Sequence, residues 1–248
     1  MPNPTFGDRM LKSSSVDSLE TQHVMTINGT ILKTCVLGLF TALTFVYSWG
    51  LLLSGYADKA ILLYHGGLFG GLILALIICF APKNQSLIIT TPLYAMCEGL
   101  MLGYISALIN KIYPGVASQA AIGTMFALFG MFFLYKTKLV RATETFKMVI
   151  FNSTFAIFCI YMLQLILSFF HISIPAIFSN SPIGIGFSLV VVAVASFNLI
   201  IDFDNIEKFS GQFNKNYEWY FGFSLLVTII WMYIEILNLL AKISSRNN

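Results

Sequence analysis

Seven stretches of this chain are apolar for about the length needed to cross a bilayer: residues 34–53, 60–81, 87–109, 116–135, 148–170, 182–203 and 219–241. A helix rises about 1.5 Å per residue, so about 20 apolar residues traverse the hydrocarbon. In lipid every backbone N–H and C=O must find its partner within the segment, so such runs form helices. Breakers separate them. Gly55 with Asp58 divides the first two, Pro82-Lys83-Asn84 the next, and Pro114-Gly115 the third and fourth. The basic run Lys136 to Lys147, then Ser179 to Pro182, then the polar run Asn205 to Asn216 complete the set.

Composition closes off the other classes. Only 10% of the 248 residues are charged, against about 25% in soluble domains. That is too little to coat a water-facing surface, so a soluble enzyme, a disordered chain and a nucleic-acid binder are excluded as readings. The net charge of +3 is spread along the chain and makes no nucleic-acid patch. The expected class is an all-α, polytopic membrane protein of one domain. Residues 1–26 are polar, carry no secretory signal, and are expected to be a flexible cytoplasmic tail. Residues 27–248 would form the seven-helix membrane domain.

Loop charge sets the expected orientation. Arg9, Lys12, Lys33, Lys83, Lys136, Lys138, Arg141, Lys147, Lys208 and Lys215 fall on one side; Lys59, Lys111, Lys242 and Arg246 fall on the other. The first side is read as cytoplasmic, which puts the N-terminus inside and the C-terminus outside. The sequons at Asn28 and Asn84 then face the cytoplasm and that at Asn152 lies in a helix, so glycosylation is not expected. Cys35, Cys79, Cys97 and Cys159 lie in apolar runs without a Cys-x-x-Cys pair and read as small buried hydrophobes. Gly66, Gly67, Gly70 and Gly71 in the second span, and Gly99 and Gly103 in the third, have the small-xxx-small spacing of close helix crossings. His65 reads as a packed or interfacial residue.

Ionisable groups inside lipid are costly and commonly functional. Glu98 stands in Tyr94-Ala95-Met96-Cys97-Glu98-Gly99, Glu235 in Trp231-Met232-Tyr233-Ile234-Glu235-Ile236, and Asp202 and Asp204 near the end of the sixth span. Counted from the expected span entries, Glu98 lies ~16 Å deep and Glu235 ~16–24 Å deep. Asp202 and Asp204 are expected at the cytoplasmic mouth. No Lys or Arg falls within the seven expected cores. Each glutamate must therefore be protonated, share a proton, be hydrated, or face a cation.

Around these residues the chain resembles the Bax inhibitor-1 family of transmembrane Bax-inhibitor-motif proteins, and within it the bacterial YccA-type branch. The resemblance is carried by Met25-Thr26-Ile27-Asn28-Gly29-Thr30, Pro92 to Ser106, Pro182-Ile183-Gly184-Ile185-Gly186-Phe187, Asn198 to Glu207, and Tyr217 to Leu240. It implies seven helices with the seventh central, and a pH-sensitive calcium leak governed by an acidic pair on the last two helices. By position that pair is similar to Asp202, with Asp204 beside it, and Glu235. The family has aspartate where this chain has Glu235, and the interval from Asp202 is longer here by about two helical turns. Glu98 and Glu235 pairing at the midplane, with Asp202 and Asp204 as a cytoplasmic gate, is the other arrangement.

The resemblance thus implies a cation (calcium) leak channel gated by protonation, with transient calcium at Asp202, Asp204 and Glu235. The alternative it implies is a regulatory protein that binds a membrane protease complex through the tail and the basic loop 136–147. Its expected partners are the lipid bilayer, a cation and that complex, and its expected location is the bacterial inner membrane. No cofactor is implied. An intramembrane aspartyl protease is disfavoured because Gly184-Ile185-Gly186 is followed by Phe187, not Asp. No lysine stands mid-span in the seventh helix for a retinal Schiff base, and nothing suggests serine, cysteine or zinc catalysis. The chain is therefore not expected to be an enzyme.

Overall fold

The computed structural model describes residues 24–80, 86–170, 177 and 179–247. Seven long helices account for nearly all of them: α1 (Ile27–Leu53), α2 (Ala57–Phe80), α3 (Leu87–Ile112), α4 (Val116–Lys136), α5 (Glu144–Phe169), α6 (Pro182–Phe209) and α7 (Tyr217–Asn247). All seven are long and apolar enough to cross a membrane. The helices run several residues beyond the apolar windows. The window marks the hydrocarbon slab, whereas the helix ends where a capping side chain satisfies its first N–H groups. Thr26 caps α1 by accepting from Gly29 N–H, Thr143 caps α5 by accepting from Phe146 N–H, and Ser181 caps α6 by accepting from Gly184 N–H.

The seventh helix is the axis of the bundle. It packs along α1, α3, α4 and α6, and Tyr161 of α5 reaches it through a hydrogen bond. Phe223, Leu226, Ile230, Met232, Tyr233 and Leu237 of α7 belong to the main buried core. By contrast, α2 packs on α1 and α3, and α5 packs on α6, so these two lie at the periphery. Their outer faces carry bare apolar side chains such as Phe69, Phe151 and Phe155, as a surface solvated by lipid requires.

Helix α3 holds the α1 and α2 side of the bundle together through glycine. A Cβ on Gly99 would stand 2.2 Å from the Thr41 carbonyl oxygen, and one on Gly103 would stand 2.3 Å from that of Phe45. On the other face a Cβ on Gly67 would stand 2.5 Å from the Cys97 carbonyl oxygen. The glycine pairs seen in the sequence are thus packing seams within the monomer, except that Gly66 faces open space. Two buried hydroxyls here are satisfied by helix carbonyls. The hydroxyl of Thr41 donates to the carbonyls of Leu37 and Ala95, and that of Thr91 donates to Leu87.

Two expectations need correcting. Cys35, Cys79 and Cys159 are exposed on the outer surface and only Cys97 is half-buried. In a membrane bundle an apolar run supplies the lipid face as well as the core, so apolar context does not imply burial. The tail boundary at residue 26 is also too late. Met25 is fully buried and exchanges backbone hydrogen bonds with Phe213 and Gly211 in the α6–α7 turn. The remaining expected tail, residues 1–23, lies outside the described residues.

Candidate functional site

The entry of α7 is built on an acidic residue that the sequence reading did not single out. Glu218 is 1% exposed. Its Oε1 accepts from the backbone N–H of Thr26 at 3.1 Å and from the Thr26 hydroxyl at 2.9 Å. In an ordinary capping box, the residue at the third helical position reaches back to the N-cap N–H. Here that position is Gly29, and a Cβ on it would stand 2.0 Å from Glu218 Oε1. A carboxylate from α7 therefore occupies the space of the missing side chain and completes the cap of α1 across the tertiary structure. Two of the segments that carry the family resemblance are joined at this point. A glycine at the third position after a helix-capping threonine was the available signal.

Deeper in the bundle the four expected carboxyls lie on or beside α7, spread along its length. The Tyr94 and Phe223 rings meet edge-on with centroids 4.8 Å apart, and the Ser106 and Tyr233 hydroxyls are 2.7 Å apart. These two contacts set the register of α3 against α7 and put Glu98 level with Leu226. Asp202 accepts from the Ser224 hydroxyl at 3.0 Å and the Thr228 hydroxyl at 2.6 Å, so it too lies level with Leu226, on the α6 side. Glu235 is about nine residues further along α7, about 13 Å away along the axis.

Glu235 is 3% exposed. Its Oε1 accepts from the Tyr161 hydroxyl at 2.8 Å and from the Trp231 indole N–H at 3.1 Å. It lines a cavity of about 500 Å³ whose other polar walls include Tyr113, Asn180, Ser188, Asn238 and Lys242. The Lys242 ammonium donates to the carbonyls of Ile177 and Gly184, both at 3.2 Å, and to the Ser188 hydroxyl at 2.8 Å. Those bonds tie the far end of α7 to the start of α6. Lys242 was expected beyond the spans, yet it shares a cavity with Glu235. It stands two turns past Glu235 on the same helix, a spacing visible in the sequence, but the seven-residue offset signals a contact only once α7 is known to continue to Asn247.

Glu98 does not take the expected partner, Glu235. It lies in the α2–α3 seam, where a Cβ on Gly71 would stand 3.0 Å from its Oε1. Asp202 is not at the mouth of the bundle, because α6 continues about 10 Å beyond it to Phe209. Asp204 is nearer that end and pairs with the Lys147 ammonium at 2.6 Å. Glu207, one turn further, accepts from the Tyr135 hydroxyl at 2.5 Å. The structure thus joins none of the four carboxyls to another: Asp202 and Glu98 share a level on different faces of α7, and Glu235 lies beyond both. Among the described residues no three acidic, histidine or cysteine side chains are grouped to hold a metal ion, so Asp202, Asp204 and Glu235 do not make one calcium site. His65 is exposed, and its Nδ1 lies 2.9 Å from the Ile61 carbonyl of its own helix.

Chemically, the arrangement offers separate carboxyls along one central helix, Asp202 held by two hydroxyls, Glu235 by a phenol and an indole, and Asp204 by an ammonium, with a polar cavity at the Glu235 end of the series. Searches of curated proteins and of solved structures return no match to this chain. The sequence profile described as Bax inhibitor 1 like matches residues 3–245, and with seven membrane-length helices gathered around the last of them, the chain belongs to that family.

Proposed function

We propose that the protein is a pH-sensitive cation leak pathway, with calcium as the expected cation, controlled by protonation of Asp202 and Glu235 beside α7. The observation that carries the reading is Glu235: a carboxyl almost wholly enclosed, held on one oxygen by Tyr161 and Trp231, and opening on a polar cavity. A carboxyl kept in such a place at the cost of desolvation is usually there for its charge. Proton loss at Asp202 and at Glu235 places negative charge at two stations along the axis. Water and cations are drawn to both, since calcium favours carboxylate oxygens. Lys242 lines the same cavity as Glu235 and supplies a positive charge there. Because no site among the described residues groups three acidic, histidine or cysteine side chains, a cation in transit is passed on and not retained.

The same reading places the N-terminus in the cytoplasm and the chain in a bacterial inner membrane, in the YccA-type branch. The test is calcium flux into liposomes holding the purified protein, measured across a pH series. Flux should rise with pH in the parent. Glu235→Gln and Asp202→Asn should each flatten that rise. Unaltered curves in both variants overturn the channel reading and leave regulation of a membrane protease complex, for which recovery of partners from native membranes with and without residues 1–23 is the measurement.

A further inference from the structure

The chain turns from α4 into α5 around a cavity of about 740 Å³, lined by Lys136, Lys138, Arg141 and Lys208 together with Asp204 and Glu207. Both carboxyls are already engaged, Asp204 by Lys147 and Glu207 by Tyr135. Among the described residues, none of the four cations forms an ion pair. Lys208 lies over the Phe209 ring, its ammonium 5.7 Å from the centroid. A concave, water-reached wall with four positive charges, against which only the Glu207 charge is left unmatched by a cation outside the wall, is net positive and concentrates anions. Arginine among them offers the planar fork that fits phosphate oxygens.

The setting narrows the anion. Leu139 sits between Lys138 and Arg141 in the turn and is 70% exposed. Phe133 at the end of α4 and Met148 at the start of α5 are exposed on the bundle's outer surface close to the turn. An apolar tip flanked by cations, above bare aromatic and thioether side chains, matches the boundary between headgroups and acyl chains. We infer that this cavity binds the phosphate of an anionic lipid headgroup, with the acyl chains lying along α4 and α5. A free phosphate meets the same cations but leaves Leu139, Phe133 and Met148 uncovered.

The experiment uses the full chain in neutral detergent micelles, with bound lipid counted by native mass spectrometry as phosphatidylglycerol or phosphatidylcholine is added. The parent should retain phosphatidylglycerol in preference to phosphatidylcholine. The variant Lys136→Gln/Lys138→Gln/Arg141→Gln/Lys208→Gln should lose at least about tenfold in that retention. Lys33→Gln/Lys215→Gln, which removes charge at the same end outside the cavity, should keep it. Single variants Lys138→Gln and Lys208→Gln alter exposed side chains and should show graded losses, so the test stands even if the quadruple variant does not fold. Equal phosphatidylglycerol retention by the parent and all cavity variants overturns the site. Displacement of the lipid by millimolar inorganic phosphate, or stabilisation by phosphate alone, overturns the lipid assignment.

Discussion

Replacing Gly29 by alanine should loosen the whole entry of the bundle, although the new group is one methyl. The added Cβ would stand 2.0 Å from Oε1, 2.2 Å from Cδ and 2.4 Å from Oε2 of Glu218. The carboxylate has to leave, and both bonds from Thr26 go with it. Hydrogen bonds to a charged group contribute about 1.5–3 kcal/mol each. Alanine returns about 1 kcal/mol through its better helix propensity. The expected net loss is about 2–5 kcal/mol, read as a fall of roughly 4–20 °C in the thermal midpoint of the protein in mild detergent. A double-mutant cycle isolates the cause. Glu218→Ala alone should cost a similar amount, and Gly29→Ala added to it should cost nothing or stabilise, because the collision is gone. Gly29→Glu in the Glu218→Ala background should recover part of the loss by supplying the cap from within α1. A Gly29→Ala penalty of the same size in both backgrounds would refute the argument.

Other perturbations separate packing from charge. Glu235→Gln keeps an oxygen to accept from Tyr161 and Trp231 and should shift stability by less than about 1 kcal/mol, whereas Glu235→Leu strands both donors at about 1–3 kcal/mol each; thermal midpoints in detergent distinguish the two. Lys242→Met deprives the Ile177 and Gly184 carbonyls and the Ser188 hydroxyl of their donor, and should lower the midpoint by an amount equivalent to about 2–3 kcal/mol while making the α6–α7 end more open to hydrogen exchange. Gly99→Ala drives a methyl into the Thr41 carbonyl of α1 and should cost about 1–3 kcal/mol. Gly66→Ala, with open space around it, should be neutral or stabilising in the same thermal assay.

The sequence alone determined that this chain is a seven-helix membrane protein, because hydrocarbon tolerates few backbone solutions and a long apolar run already satisfies one of them. It also marked the glycines of α3 and the acidic residues inside the spans, since both are conspicuous against an aliphatic background. Partnership was not legible. Glu98 and Glu235 read as deep carboxyls and Asp202 as one at the mouth, and only the lateral packing of the helices assigned Asp202 to Ser224 and Thr228, Glu235 to Tyr161 and Trp231, and Glu98 to the α2 seam. Glu218 and Lys242 passed unnoticed because their partners are the backbone of residues 192 and 58 positions distant in the chain. Hydropathy records how deep a segment lies in the slab. The rotation and register of each helix come from side chains interlocking between helices, and no single span contains that information.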